Sequence, residues 1–68
     1  MDLVVVFRTF DLAEAQVIRS QLEGAGIVAD LEHENSAALL DVAVGGVRVV
    51  VPTEKADEAR ALIEQKGQ

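Results

Sequence analysis

The order of three short β-branched runs and two helical segments restricts the fold of this chain more than any other feature. Residues 3–9 form the first run, which is rich in valine and typical of a strand. A second run follows at 27–32, and a third at 47–51 ends at Pro52. A helical pattern lies after the first run and another after Pro52, so the predicted order is β-α-β-loop-β-α.

The first helix has start and stop signals as well as a buried stripe. Asp11 and Glu14 are spaced as an Asp-x-x-Glu variant of the capping box, which predicts the amino terminus. Gly24 and Gly26 predict its end, because glycine adopts the left-handed cap conformation. The apolar residues at helical spacing are Leu12, Ala15, Ile18, Leu22 and Ala25.

The second helix is predicted to begin with Thr53 as its cap, with an inner stripe of Ala56, Ala59, Leu62 and Ile63. The segment between the second and third strands leaves alternatives open. Asn35 or Ser36 could cap a short helical turn that runs to Leu40. The pair at 45–46, Gly-Gly between valine-rich runs, also favours a short hairpin.

These elements predict one α+β domain that spans residues 1–68. Short connections favour two helices on one face of one sheet. The natural layout is a ferredoxin-like split β-α-β-β-α sandwich with sheet order 1-3-2, in which the third strand runs antiparallel to both others. This arrangement lacks the last strand of a complete ferredoxin-like fold.

Alternation along the strands divides the sheet into two faces. One set is uniformly apolar and is assigned to the face beneath the helices: Leu3, Val5, Phe7, Ile27, Ala29, Leu31, Val47, Val49 and Val51. The other set mixes valines with charges. Within it, Arg8, Arg48 and Glu32 are expected at the same end of the sheet.

The candidate interface is this mixed set without Glu32: Val4, Val6, Arg8, Val28, Asp30, Arg48 and Val50. One interpretation is a partly exposed sheet with cross-strand ion pairs. The other is a face covered by residues 35–44 or by another subunit, since contiguous exposed apolar patches usually mark interfaces.

Composition removes several kinds of site. The 68 residues include no cysteine and one histidine, which leaves no thiolate or multi-histidine metal site and no thiol nucleophile. His33 lies between Glu32 and Glu34, but neighbouring side chains of a strand point apart, so a surface histidine is expected. Ser36 has no adjacent base. We therefore predict no catalytic residue, cofactor or metal.

The formal net charge of −6 disfavours nucleic acid as a partner. The apolar run from Leu3 to Phe7 is far shorter than the roughly 20 residues that span a bilayer. We expect no membrane partner and a cytoplasmic location.

Three pieces of sequence carry a family resemblance: the opening strand, the helix DLAEAQVIRSQLEGAGI, and the ending VRVVVPTEKADEARALIEQ. Together they resemble the short bacterial domains called putative prokaryotic signal-transducing proteins, which are grouped by fold with the nitrogen-regulatory PII (GlnB-like) proteins. The longer PII proteins carry a partner-control loop and nucleotide-binding elements that nothing in this chain matches. The resemblance implies a fold and a role in signalling, and it implies no binding residue.

The predicted function is a small non-enzymatic binding or regulatory module that acts through protein contact or self-association. An unprotected edge strand and the valine-rich face favour a homo-oligomer, most simply a symmetric dimer. The alternative is a small-ligand sensor with a pocket between the segment 33–46 and the sheet.

Overall fold

The computed structural model describes residues 2–33 and 46–66. The short helix and the hairpin predicted around 35–46 lie outside the described residues, except for Gly46. The described elements are β1 (Leu3–Thr9), α1 (Leu12–Gly24), β2 (Asp30–His33), β3 (Val47–Pro52), a 3-10 turn (Thr53–Lys55) and α2 (Ala56–Lys66).

The three strands form one sheet in the order β1-β3-β2, and β3 is antiparallel to both neighbours. This confirms the predicted α+β architecture and its ferredoxin-like split arrangement. β2 is shorter than predicted and begins at Asp30 rather than at Ile27. Ile27 and Ala29 are nevertheless 1% exposed, so they pack into the core from the segment before the strand.

The start of α1 forms one half of the predicted capping box within a network of four residues. The Asp11 Oδ1 accepts hydrogen bonds from the backbone N–H groups of Ala13 (2.9 Å) and Glu14 (3.4 Å). The predicted return bond from Glu14 to the Asp11 backbone is absent from this network. Instead, the Thr9 hydroxyl donates to Glu14 Oε1 at 2.6 Å and accepts from the Asp11 N–H at 3.0 Å. The end of β1 and the first turn of α1 are therefore fixed to each other.

The end of α1 follows the predicted glycine cap. Gly26 adopts a φ of +88°, which turns the chain so that the Ile27 N–H donates to the Leu22 carbonyl at 2.9 Å. Ala25 was predicted to continue the buried stripe, and this is wrong. It is the exposed C-cap residue, because the helix ends at Gly24 before another turn can bring Ala25 onto the sheet.

Thr53 does not cap α2 as predicted, because a 3-10 turn separates it from the helix. Its backbone N–H donates to the Asp2 carbonyl at 3.0 Å, and its hydroxyl lies 3.4 Å from the same oxygen. Thr53 therefore extends the pairing between β1 and β3 by one residue.

The core lies between the sheet and the two helices, which cover the same face of the sheet. One cluster contains residues from α1, α2, β3 and the segment before β2: Ala15, Ile18, Leu22, Ile27, Ala29, Val47, Val49, Val51, Ala56 and Ala59. Leu12, Leu31, Leu62 and Ile63 pack against it half-buried. Within the two described ranges, no polar or charged residue is buried. The stability of this face therefore depends on apolar contact.

Candidate interaction surface

A shift of register in β1 decides which of its side chains face the helices. Val4 lies opposite Val51 and Val5 opposite Val50, whereas Phe7 lies opposite Val49. Val6 is the extra residue, so β1 carries a bulge there. Residues opposite each other on paired strands share a face. The side chains of β1 therefore alternate between the two faces in the opposite sense before and after the bulge.

The bulge overturns part of the predicted division of β1. Val4 and Val6 were predicted on the face without helices, but both pack against the core beneath the helices, as Phe7 does. Leu3 and Val5 were predicted beneath the helices. They instead lie on the opposite face, because they alternate with Val4 and because Val5 pairs with Val50. We call this face, opposite the helices, the outer face.

The outer face consists of three rows that cross the strands. Leu3 and Pro52 form an apolar row at one end. Val5, Val50 and Asp30 form the middle row. Arg8, Arg48 and Glu32 form the row at the other end, which we call the charged row. The position of the charged row confirms the prediction that these three residues meet at one end of the sheet.

The charged row is electrostatically mixed. Arg48 Nη2 lies 3.6 Å from Glu32 Oε1, and the two side chains are 30% and 46% exposed. On its other side Arg48 lies directly opposite Arg8, which places two like charges across one pair of strands. The Arg48 Nε is buried and makes no hydrogen bond to any residue that the structure describes. Because an ion pair this exposed contributes little, the charged row adds little to the stability of the fold.

The apolar side chains on and beside the outer face differ widely in exposure. Val50 is only 3% exposed, so the interpretation of a partly exposed face does not apply at this residue, which lies in the central strand between Val5 and Asp30. Val28 is 69% exposed in the segment before β2, and Leu3 is 48% exposed at the start of β1. Val28 and Leu3 lie at the end of the sheet away from the charged row, whereas Phe10, which is 66% exposed, follows β1 at the charged end.

The outer edge of β1 carries backbone groups that can bond to a further strand. The Thr53 N–H bonds to the Asp2 carbonyl, so Asp2 and Thr53 form a hydrogen-bonded pair. Hydrogen-bonded and non-hydrogen-bonded pairs alternate along an antiparallel ladder. Leu3 and Pro52 are therefore a non-hydrogen-bonded pair, in keeping with the missing N–H of proline. Val5 and Val50 are the next such pair, so the N–H and C=O groups of Leu3 and Val5 point away from β3.

Sequence reasoning missed both the bulge and the direction of the backbone N–H and C=O groups along the edge of β1. Nothing in the run Val4-Val5-Val6 marks the residue that is inserted, because all three side chains have the same shape and the same preference for strands. The direction of the backbone groups depends on the register between β1 and β3. The one sequence signal for that register is Pro52, which belongs in a non-hydrogen-bonded position of a strand.

Of the residues considered for other chemistry, Glu34 and Ser36 lie outside the described ranges. His33 is exposed and ends β2, so it lies in a strand rather than in the predicted loop. In ranges 2–33 and 46–66, no group of three histidine or acidic side chains is placed to hold a metal ion. No helix of the described part is long and apolar enough to cross a membrane.

Two shallow concavities lie at the same end of the sheet as Leu3 and Val28. One, of about 250 Å³, is lined by Glu23, Gly26, Ile27 and Val28. The other, of about 470 Å³, is lined by Asp2, Pro52, Thr53 and Glu54. The pocket predicted between segment 33–46 and the sheet falls on residues that are mostly outside the described ranges, so the ligand-sensor alternative stays a prediction.

The fold and its surface define a class: a small α+β domain of the ferredoxin-like split type with an unpaired strand edge in its described sheet. The family can be stated as well. The chain belongs to the family described as "Putative prokaryotic signal transducing protein", whose model matches residues 3–67. Comparison with curated proteins and with solved structures found no match. The predicted grouping with PII proteins therefore stays a prediction.

Proposed function

We propose that this domain is a non-enzymatic binding module of prokaryotic signal transduction, which acts in the cytoplasm by contact with another protein chain. The family's description supports the signalling role. The contact surface is the Leu3 end of β1, including the side chain of Leu3 on the outer face and the backbone edge beside it. A second copy of the chain is the first partner that this surface fits.

One observation carries the proposal: an exposed apolar side chain lies beside a strand edge that can accept a further strand. Leu3 is 48% exposed, and among the described residues β1 pairs with β3 alone. Edge strands of this kind are normally protected by charges, proline, covering segments or pairing. Between Leu3 and Phe7 the strand carries no charge and no proline. Contact with another chain would bury both the side chain and the edge.

The charge distribution supports a protein partner over a nucleic acid. The net charge of −6 opposes a phosphate backbone, and the arginines of the charged row lie at the opposite end of the sheet from Leu3. The absence of cysteine and the single exposed histidine support a role in binding rather than in catalysis.

Site-specific photo-crosslinking in the native host tests this proposal. A photo-reactive amino acid replaces Leu3, and the matched control replaces Val17, a residue of α1 that is 50% exposed. We expect covalent capture of a protein, identified by mass spectrometry as a second copy or another chain, from position 3 and not from position 17. Equal capture from both positions, or no capture from either, would contradict the proposal.

A further inference from the structure

We propose that β1 pairs antiparallel with β1 of a second copy about a twofold axis at Val4, with Leu3 of each copy opposite Val5 of the other. This inference rests on the proposed function and specifies its partner and its register. The pairing would join two three-stranded sheets into one continuous sheet, with the helices of both copies on the same side.

The first argument is the direction of the backbone groups. The N–H and C=O groups of Leu3 and Val5 point outward, as the hydrogen bond between Thr53 and Asp2 establishes. A hydrogen-bonded pair in an antiparallel ladder requires outward groups on both of its residues. When Leu3 lies opposite Val5 of the second copy, both residues meet this requirement, and they exchange two hydrogen bonds. The twofold axis generates the same pair again on the other side of Val4.

The second argument is that side chains must match faces across the new pair. Leu3 and Val5 both lie on the outer face, and Val4 lies beneath the helices in both copies. An axis at Val4 therefore places each side chain opposite one on its own face. An axis at Val5 would place Leu3 opposite Phe7, which packs beneath the helices because of the bulge at Val6. The bulge thus excludes the longer register.

An axis at Leu3 also preserves the faces, but it leaves Val5 opposite position 1 of the chain. Between described residues it forms the central Leu3 pair once, whereas the axis at Val4 forms the pair of Leu3 with Val5 twice. Among the described residues, the axis at Val4 therefore satisfies more of the outward backbone groups. It also buries the exposed side chain of Leu3 against Val5 on the outer face, where apolar cross-strand pairs are stabilising.

Cysteine scanning tests the register, since the chain has no native cysteine. We expect Leu3→Cys and Val5→Cys to form few disulfide dimers when each is oxidised alone. Mixed and oxidised together, the two variants should form a disulfide heterodimer, because the paired Cα atoms would be about 5.5 Å apart. Val4→Cys should form a homodimer alone. A mixture that cross-links no better than the single variants would overturn the register.

A proline substitution tests the backbone bonds separately from the side chain. Leu3→Pro removes an outward N–H at the first residue of an edge strand, where proline is tolerated, and it leaves the bonds to β3 intact. Leu3→Ala shortens the side chain but keeps the N–H. In sedimentation equilibrium we expect Leu3→Pro to raise the dimer dissociation constant about tenfold or more, and well beyond Leu3→Ala. Circular dichroism confirms that both variants are folded, and equal effects would overturn the proposal.

The outcomes separate this inference from the proposed function. If the wild type is a dimer, but Leu3→Pro does not raise its dissociation constant and the cysteine variants do not cross-link as expected, the β1 pairing is overturned. The proposed contact with a protein would still stand. A wild-type monomer at all concentrations also overturns the pairing, while capture of a different protein from position 3 would sustain the proposed function. Absence of both self-association and capture overturns both.

Discussion

Both faces of the sheet carry valines, but the two faces differ in how far their side chains are buried. On the face beneath the helices, Val47, Val49 and Val51 are completely buried, and they lie in one cluster with residues of both helices. On the outer face, Val50 is 3% exposed but Leu3 is 48% exposed, and two arginines lie opposite each other. The first face contains the core of the fold, and the second combines a buried Val50 with side chains that stay exposed.

The largest expected effect belongs to the buried face. Leu22 is 1% exposed, so Leu22→Ala should lower the free energy of unfolding by about 2–5 kcal/mol, because it leaves a cavity that the core cannot fill. The control is Val17→Ala, at a site on the same helix that is 50% exposed, and its expected effect is within about 0.5 kcal/mol. Urea denaturation measures both. Similar losses would mean that burial does not distinguish the two sites.

The next effect concerns Gly46, which precedes β3 and lies close to Thr9 and Phe10. Gly46 has a φ of +81°, and a Cβ there would lie 3.1 Å from the Thr9 carbonyl oxygen and 3.3 Å from the Phe10 ring. Gly46→Ala should therefore destabilise the protein by roughly 1–3 kcal/mol through strain. Gly24→Ala, in α1 and with no atom within 4 Å, should instead stabilise it slightly. Thermal unfolding that shows no difference between the two variants would refute the strained conformation.

The bulge predicts an asymmetry between two neighbouring residues of β1. Val4 packs against the core, so Val4→Ser should cost about 1–2 kcal/mol in unfolding free energy. Leu3 lies on the outer face at 48% exposure, so Leu3→Ser should change it by about 0.5 kcal/mol or less in dilute, monomeric protein. Simple alternation without a bulge predicts the reverse order. Denaturation at low protein concentration distinguishes the two arrangements.

The smallest effect is expected at the charged row. Glu32→Gln removes the partner of Arg48 at 3.6 Å, and the pair is exposed enough that the loss should be at most about 1 kcal/mol. Because salt screens such a pair, the difference between variant and wild type should shrink further at 1 M salt. A loss that is larger and insensitive to salt would show that Glu32 has a structural role beyond this ion pair.

Sequence reasoning succeeded where one side of an element is uniformly apolar. Alternation in β3 placed Val47, Val49 and Val51 correctly beneath the helices, and helical spacing placed Ala15, Ile18 and Leu22 in the core. The order β1-β3-β2 followed from the short connections.

Sequence reasoning failed where neighbouring residues are chemically alike, or where contacts between residues distant in sequence determine the local structure. The run of valines in β1 gives no sign of the bulge, so Val4 and Val6, two of the seven residues of the predicted interface, were assigned to the wrong face. Thr53 has the chemistry of a helix cap, yet its N–H pairs with Asp2, a contact between residues that are 51 positions apart. Such a contact depends on the register of two strands, which no local pattern specifies.

Amide hydrogen exchange of Leu3, Val4 and Val5, measured by NMR over a range of protein concentrations, tests the central claim most directly. The Val4 N–H points toward β3, so it should be protected at every concentration. The N–H groups of Leu3 and Val5 point outward, so they should exchange rapidly in dilute protein and become protected as the concentration rises and β1 pairs with a second copy. Protection of Leu3 and Val5 that does not change with concentration, or rapid exchange of Val4, would contradict the account.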